Sequence, residues 1–193
     1  MQNRYQIFKM NLRNLLFLLA LTMLSGCGCT DDVTLDYQLS DFEKSLIPFD
    51  SDTEVEFITD GQVIIKALNT AKTIEIMDLN FSYDESCMST LIEIHENELR
   101  FESEGKQFGY RVAKNYGNSS NIGATDWIIS YGAEETNMEN LEERLTNIST
   151  DGFEFNNVIV LNSIDNSTFI VCKANRGIEF IKNSDGSYLK RVE

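Results

Sequence analysis

The fold of this chain is decided by a stretch that reads Glu54-Val55-Glu56-Phe57-Ile58-Thr59-Asp60-Gly61-Gln62-Val63-Ile64-Ile65-Lys66-Ala67-Leu68. Polar and apolar residues alternate at its start, and a period of two is typical of a half-buried strand. Asp60-Gly61 separates the two β-rich runs, and this dipeptide tolerates the positive φ angles of a tight hairpin turn. The stretch therefore predicts an antiparallel hairpin with strands at 54–57 and 62–68.

Strand patterns recur along most of the remaining chain. Asp151-Gly152 and Asp185-Gly186 are two further turns, whereas residues 115–125 are rich in Asn, Ser and Gly and predict a loop. Short connections favour antiparallel neighbours, and a long meander must curl or split into two layers. We therefore predict a mainly β fold, an antiparallel meander of about ten strands that forms a sandwich or a partly open barrel. The further strands are expected at 73–76, 91–95, 99–101, 108–112, 127–131, 153–161, 168–173, 178–181 and 187–192.

One or two short helices are expected between the strands. Ser40 and Glu43 have the spacing of a capping box, and Pro48 ends the helix that they begin. Thr136 and Glu139 repeat this spacing before apolar residues at helical intervals. Here we expect a helical turn or two and then a short strand.

The N-terminus has the layout of a secretory signal. Three basic residues precede an apolar run over 15–24, which is shorter than the ~20 residues of a membrane-spanning helix. Leu24-Ser25-Gly26-Cys27 then resembles the bacterial lipobox, in which the cysteine is acylated and becomes the mature N-terminus. Cys27 is therefore the predicted lipidation site; Cys29 is a competing site, and a plain signal peptide is the alternative.

Cleavage before Cys27 defines the predicted organisation. Residues 1–26 are the lipoprotein signal peptide, residues 27–39 a tether and residues 40–193 a single β-rich domain. Removing 26 of the 193 residues leaves 167, and losing three basic charges takes the net charge from −15 to −18. Such a chain repels phosphate backbones, so we predict no nucleic-acid partner. The predicted membrane contact is the acyl anchor.

Three stretches carry a resemblance to a family. They are Ile47-Pro48-Phe49-Asp50-Ser51, Asp151–Val158 and Asn175-Arg176-Gly177-Ile178-Glu179-Phe180. With the lipobox, they resemble the uncharacterised small β-rich lipoproteins of Bacteroidota-type bacteria. The resemblance implies a β fold in the bacterial envelope, as an outer-membrane lipoprotein, and it implies no catalytic residues. Thr30-Asp31-Asp32 resembles the surface-export signal of such lipoproteins, so the domain faces either the cell surface or the periplasm.

Two residue sets are candidates for covalent or catalytic chemistry. Cys87 and Cys172 form a possible disulfide in an oxidising compartment, with two unpaired thiols as the alternative. His95 is the only histidine and would be the base of any hydrolase, together with the loop Asp84-Glu85-Ser86-Cys87. The alternation Ile92, Ile94 places His95 beside Glu93 on the face predicted to meet solvent. No catalytic set is predicted.

Three residue sets are candidates for ligand sites. Asp50, Asp52 and Glu54 alternate like the start of a calcium loop, but the Gly and the distal Glu of such a loop are missing. A zinc site from His95, Cys87 and Cys172 would require residues far apart in the sequence. Trp127 and Tyr131, with Tyr116, could form a sugar-stacking platform, although their strand spacing favours a core position. We predict no metal and no cofactor.

These patterns lead to one hypothesis and two rivals. The leading one is a non-catalytic envelope lipoprotein whose anchored β domain binds a partner protein or a ligand. The rivals are a cell-surface hydrolase that uses His95 and a carrier of lipid or another hydrophobe.

Overall fold

The computed structural model describes most of the chain after residue 32. The chain divides into two compact units, residues 1–33 with 81–88 and residues 34–80 with 89–193, and the architecture described is that of the second unit. The described residues are 33–78, 88–115, 120–125, 130–132 and 141–192.

Thirteen strands lie within the described residues, accompanied by a short helix, α1 (Asp41–Ser45), and a 3₁₀ turn (Leu141–Arg144). The mainly β class that the alternating sequence predicts is therefore confirmed. The strands are β1 Val33–Tyr37, β2 Thr53–Thr59, β3 Ile64–Asn69, β4 Thr73–Asp78, β5 Met88–Phe101, β6 Lys106–Lys114, β7 Ser120–Thr125, β8 Ser130–Gly132, β9 Thr146–Thr150, β10 Phe153–Ser163, β11 Phe169–Lys173, β12 Gly177–Lys182 and β13 Tyr188–Arg191.

The strands form one sheet that curls back on itself. Its order is β1-β5-β3-β2-β13-β12-β11-β10-β8-β7-β6, with β4 paired to β5 and β9 to β10. β6, at the end of this order, also pairs with β5 along Ile94–Phe101. Only two residue pairs are in register between β3 and β5, and only two between β10 and β8. The architecture is thus a partly open barrel, one of the two arrangements that the sequence predicts.

The main core lies on the inner face of this sheet, the face that carries Phe57, Phe101 and Phe108. Phe101 makes edge-to-face contacts with the other two rings, at centroid distances of 5.0 Å to Phe57 and 6.1 Å to Phe108. Tyr110 is fully buried among them. These large rings fill the interior, and their burial is a principal source of stability for such a sheet.

A second apolar cluster lies on the opposite face of β11, β12 and β13. Phe180 is its centre, stacked on Tyr188 at 5.5 Å and tilted against Phe155 at 5.4 Å. In β11 the side chain of Val171 joins this cluster, while its neighbours Ile170 and Cys172 join the main core. Burial on both faces explains the apolar runs Phe169–Cys172 in β11 and Phe180–Ile181 in β12.

Helix α1 begins as its sequence predicts. The Ser40 hydroxyl accepts a hydrogen bond from the Glu43 N–H at 3.2 Å, and the Glu43 carboxylate accepts one from the Ser40 N–H at 2.7 Å. The chain leaving α1 then packs on the turn before β12, where the Asn175 N–H donates to the Ser45 carbonyl at 2.7 Å. Two stretches that carry the family resemblance, 47–51 and 175–180, thereby come together.

The three Asp-Gly turns differ from one another. Asp151 and Gly152 both have positive φ, 49° and 82°, which is the conformation of a two-residue hairpin loop. The connection between β2 and β3 is instead four residues long, and its positive φ, 59°, falls on Gln62. The reason is the hydrogen bond from the Thr59 N–H to the Val63 carbonyl, at 2.9 Å, which closes a wider turn.

Several sequence predictions require correction. The stretch 115–125 is not all loop, because Ser120, Ile122 and Ala124 alternate inward as β7. The predicted strands 91–95 and 99–101 are one strand, β5, paired continuously with β6 from Ile94. Strand β1 lies inside the predicted tether, and Leu39 is buried in the main core. The ordered domain therefore begins before residue 40.

Candidate functional site

A groove of about 880 Å³ lies across the outer face of β5, β6 and β7. Thr70 and Ala71 of the connection from β3 to β4, with Thr73 at the start of β4, form one wall. We call this depression the strand groove. The side chains that its three strands direct outward are mainly polar: Glu96, Glu98 and Arg100 from β5, Arg111 from β6, and Asn121 and Thr125 from β7.

The alternation of the three strands places these side chains in the strand groove. Tyr110 and Val112 point into the main core, so Arg111 between them points outward. The register aligns Glu96, Arg111 and Gly123 in one row across the strands. A second row contains Glu98, Gly109 and Thr125. Each row includes a glycine, and a strand position without a side chain lowers the floor of the groove.

Hydrogen bonds hold the wall of the groove in place. Thr70 and Glu98 exchange two bonds: the Thr70 N–H donates to the Glu98 carbonyl at 2.8 Å, and the Glu98 N–H donates to the Thr70 hydroxyl at 2.9 Å. Next to them the Ala71 N–H donates to Asp52 at 2.8 Å. Lys72 forms an ion pair with Asp50 at 2.7 Å. The wall is therefore fixed before any ligand binds, which reduces the ordering cost of binding.

The charged groups of the groove are balanced in sign. Arg100 is paired with Glu98. Arg111 is exposed and has no ion-pair partner among the residues that the structure describes. In a chain with a net charge of −15, a groove with two guanidinium groups and two carboxylates is comparatively neutral. Such a surface offers both donors and acceptors to a polar ligand.

On the inner face, the same strands hold a buried ion pair. Glu43 of α1 is fully buried, and its carboxylate contacts the Lys114 ammonium at 3.1 Å. Burial raises the pKa of Glu43. The Ser120 hydroxyl, the Ser40 N–H and Lys114 together lower it by a larger amount, so the pKa lies below its usual value. The carboxylate is thus kept ionised, and it joins α1 to the ends of β6 and β7.

A second buried carboxylate joins the N-terminal segment to β5. Glu93 accepts hydrogen bonds from the Leu39 N–H at 2.9 Å and from His95 Nε2 at 2.7 Å, and it contacts the Lys44 ammonium at 3.2 Å. Burial raises the pKa of Glu93, and these three partners lower it by more, so its pKa also lies below the usual value.

The prediction that His95 faces solvent is wrong. His95 does share a face with Glu93, but that face is the inner one, and only 2% of the residue is exposed. The segment around Leu39 and α1 covers this part of β5. His95 therefore lies on the opposite face of the sheet from the strand groove, and its Nε2 is occupied by Glu93.

Of the cysteine and aromatic candidates, Cys172 is described in full, and it lies in the main core, apart from the groove. Cys172 is completely buried, and burial raises the pKa of its thiol to about 12. Cys27, the loop 84–87, Tyr116 and Trp127 lie outside the described residues, as does the side chain of Tyr131. The lipidation of Cys27 and the pairing of Cys87 with Cys172 stay predictions.

The three carboxylates of the calcium hypothesis bind separate partners. Asp50 pairs with Lys72, Asp52 accepts from the Ala71 N–H, and Glu54 pairs with Lys66 at 2.6 Å. Among the described residues, no group of three His, Cys, Asp or Glu side chains is placed to hold a metal ion.

Sequence reasoning missed the strand groove. The one available signal is the outward row Gln107, Gly109 and Arg111, in which a glycine stands between two polar side chains of β6. That row becomes part of a groove only when β5 and β7 flank it, and the sequence prediction treats β7 as a loop.

Comparison of the chain with protein-family models, with curated proteins and with solved structures gives no match. Within the described part of the chain, no helix has the length and apolar content that a membrane span requires.

Proposed function

We propose that this chain is a non-catalytic lipoprotein of the bacterial envelope, anchored through acylated Cys27, whose β domain binds a polar ligand in the strand groove. The anchor rests on the lipobox-like sequence. The binding role is carried by one structural observation, the groove of about 880 Å³ with its preformed wall. That volume falls in the range of about 300–1,000 Å³ that is typical of ligand sites.

The groove supports a ligand rich in hydroxyl or amide groups. Arg111, Asn121 and Thr125 offer donors, and Glu96 and Glu98 offer acceptors. These side chains are partly exposed and therefore hydrated before binding. A ligand that is itself polar can replace their hydrogen bonds to water with hydrogen bonds of its own. Oligosaccharides and short peptides have this chemistry.

The two rival functions have less support. A hydrolase that uses His95 would need substrate to reach a buried imidazole whose Nε2 is paired with Glu93. A hydrophobe carrier would need space inside the barrel, and there the rings of Phe57, Phe101, Phe108 and Tyr110 are packed together. The strand groove lies outside, and its lining combines polar side chains with the apolar Ile92 and Ala113.

A ligand screen by thermal unfolding tests the binding role. The full chain is heated with soluble oligosaccharides and short peptides, alongside Arg111→Ala and the matched control Lys66→Ala, which removes an exposed cation of β3. A ligand at 100 times its Kd stabilises by about 2.7 kcal/mol. For a chain of this size, that shift corresponds to roughly 5–10 °C.

We expect the shift in the wild type and in Lys66→Ala, and a smaller shift in Arg111→Ala. A ligand that shifts all three proteins equally binds elsewhere, and a screen with no shift from either class of compound contradicts the proposal.

A further inference from the structure

Within the part of the chain that the structure describes, strand β4 presents an open edge with an exposed apolar surface. All six of its residues pair with β5, from Thr73 opposite Glu96 to Asp78 opposite Leu91. No second partner strand is described for β4. Ile74 and Ile76 are 55% and 54% exposed, although isoleucine is usually buried.

This edge carries acidic side chains but lacks the lysine, proline and bulge that often protect one. Edge strands are commonly protected by lysine, proline or a bulge, each of which discourages pairing with another chain. The sequence of β4, Thr73-Ile74-Glu75-Ile76-Met77-Asp78, contains neither lysine nor proline. Its register with β5 runs without a shift. The backbone of β4 is therefore ready to accept another strand.

From this edge we propose a second interaction site, independent of the strand groove: β4 binds an extended segment of a partner protein in which basic residues alternate with apolar ones. In strand addition, residues directly opposite each other share a face. The partner would thus place apolar side chains opposite Ile74 and Ile76 and a basic side chain opposite Glu75.

Charge favours this occupant over a second copy of the chain. Glu75 is exposed, and β4 itself contains no basic residue. Two copies paired through β4 would bring their Glu75 carboxylates together and would join two chains of net charge −15. Like charges on neighbouring strands are destabilising, whereas lysine or arginine opposite Glu75 is stabilising.

A peptide-binding experiment tests the proposal. The probe is a fluorescent heptapeptide of alternating lysine and valine, titrated with the full chain and followed by anisotropy. Its controls are the same peptide with every backbone nitrogen methylated, which removes the donors needed for strand pairing, and a peptide of alternating glutamate and valine. We expect only the unmethylated lysine peptide to bind and to slow amide hydrogen exchange in β4.

Variants assign the binding to β4. The double variant Ile74→Thr/Ile76→Thr keeps β-branched side chains and removes apolar contacts, and should weaken binding about tenfold. The control Ile164→Thr changes a residue that is 94% exposed in the turn after β10, and should bind like the wild type.

Three results would overturn the proposal. In the first, the double variant binds the lysine peptide as tightly as the wild type does. In the second, the methylated peptide binds as tightly as the unmethylated one. In the third, the peptide does not bind while the chain forms a dimer that the double variant abolishes, which assigns the edge to a second copy.

Discussion

Gly177 shows at the scale of one residue how the two family-like stretches are joined. Its φ is +73°, a conformation that costs residues with a side chain about 1–2 kcal/mol. A Cβ atom at this position would also lie 3.2 Å from the Phe49 ring and 3.6 Å from Pro48. Phe49 is in turn covered by the Arg191 guanidinium, 5.4 Å from its centroid. Glycine therefore satisfies two requirements here, one conformational and one steric.

Gly177→Ala should destabilise the domain more than an alanine at another glycine of positive φ. Gly186 is the matched control, because its φ is +87° and nothing lies within 4 Å of the position of a Cβ. We expect both variants to lose stability, and Gly177→Ala to lose about 1–2 kcal/mol more, since crowding a packed contact carries a cost of that order. Urea unfolding of the two variants measures the difference. Equal losses would mean that Phe49 moves aside freely.

At the scale of elements, two buried carboxylates tie the N-terminal segment to the sheet. Glu43 of α1 pairs with Lys114 of β6, and Glu93 of β5 binds the Leu39 N–H and Lys44. In one ion pair the helix supplies the carboxylate, Glu43, and in the other it supplies the ammonium group, Lys44. A five-residue helix is too short to be stable alone, so these contacts and the burial of Leu46 and Ile47 fix its position.

Acid should weaken this junction. The pKa of Glu93 is lowered in the folded state from a reference of 4.5, because the Leu39 N–H, His95 and Lys44 together outweigh the effect of burial. A carboxyl of lowered pKa contributes stability above its unfolded pKa and loses that contribution as pH falls through the folded pKa. Below about pH 5, the free energy of unfolding should fall by up to about 1.4 kcal/mol per pH unit for each such group.

Glu93→Gln isolates this effect, because an amide has no proton to gain. Urea unfolding between pH 7 and pH 3 should give a shallower fall for Glu93→Gln than for the wild type. Glu104→Gln, a change in the exposed turn between β5 and β6, should follow the wild type. A Glu93→Gln profile that parallels the wild type would show that the junction does not set the acid sensitivity.

The elements themselves were largely predictable, and the failures have physical causes. The capping box at Ser40 identified α1, because its two hydrogen bonds are local in sequence. The segment 120–125 was missed because Asn121 and Gly123 resemble loop residues, although Ser120, Ile122 and Ala124 alternate inward. Alternation predicts a solvent position for His95 because it identifies two faces of β5 but does not reveal that Leu39 and α1 cover one of them.

At the scale of the whole molecule, the site was less predictable than the fold. Periodicity within single strands predicts a mainly β class, and this is confirmed. The strand groove depends on the adjacency of β5, β6 and β7, and its wall depends on Thr70 reaching Glu98, a residue 28 positions away. Contacts between residues so far apart in the sequence depend on the order of the strands in the sheet. That order cannot be derived from the periodicity of single strands.

The proposed anchor rests on the lipobox-like sequence Leu24-Ser25-Gly26-Cys27, and the charge of the chain removes the electrostatic alternative to it. A net charge of −15 repels anionic headgroups, so a chain of this kind needs covalent lipid to stay at a membrane. Each buried methylene of an acyl chain contributes about 0.8 kcal/mol, and stable anchoring takes more than one chain. Cys27→Ala should therefore abolish labelling by palmitate and release the protein from the membrane fraction, whereas Cys29→Ala should leave both unchanged. Retained palmitate in Cys27→Ala, lost only when Cys29 is also replaced, would move the anchor to Cys29.

In the wild type, digestion by protease added to intact cells would place the domain at the cell surface, and protection would place it in the periplasm.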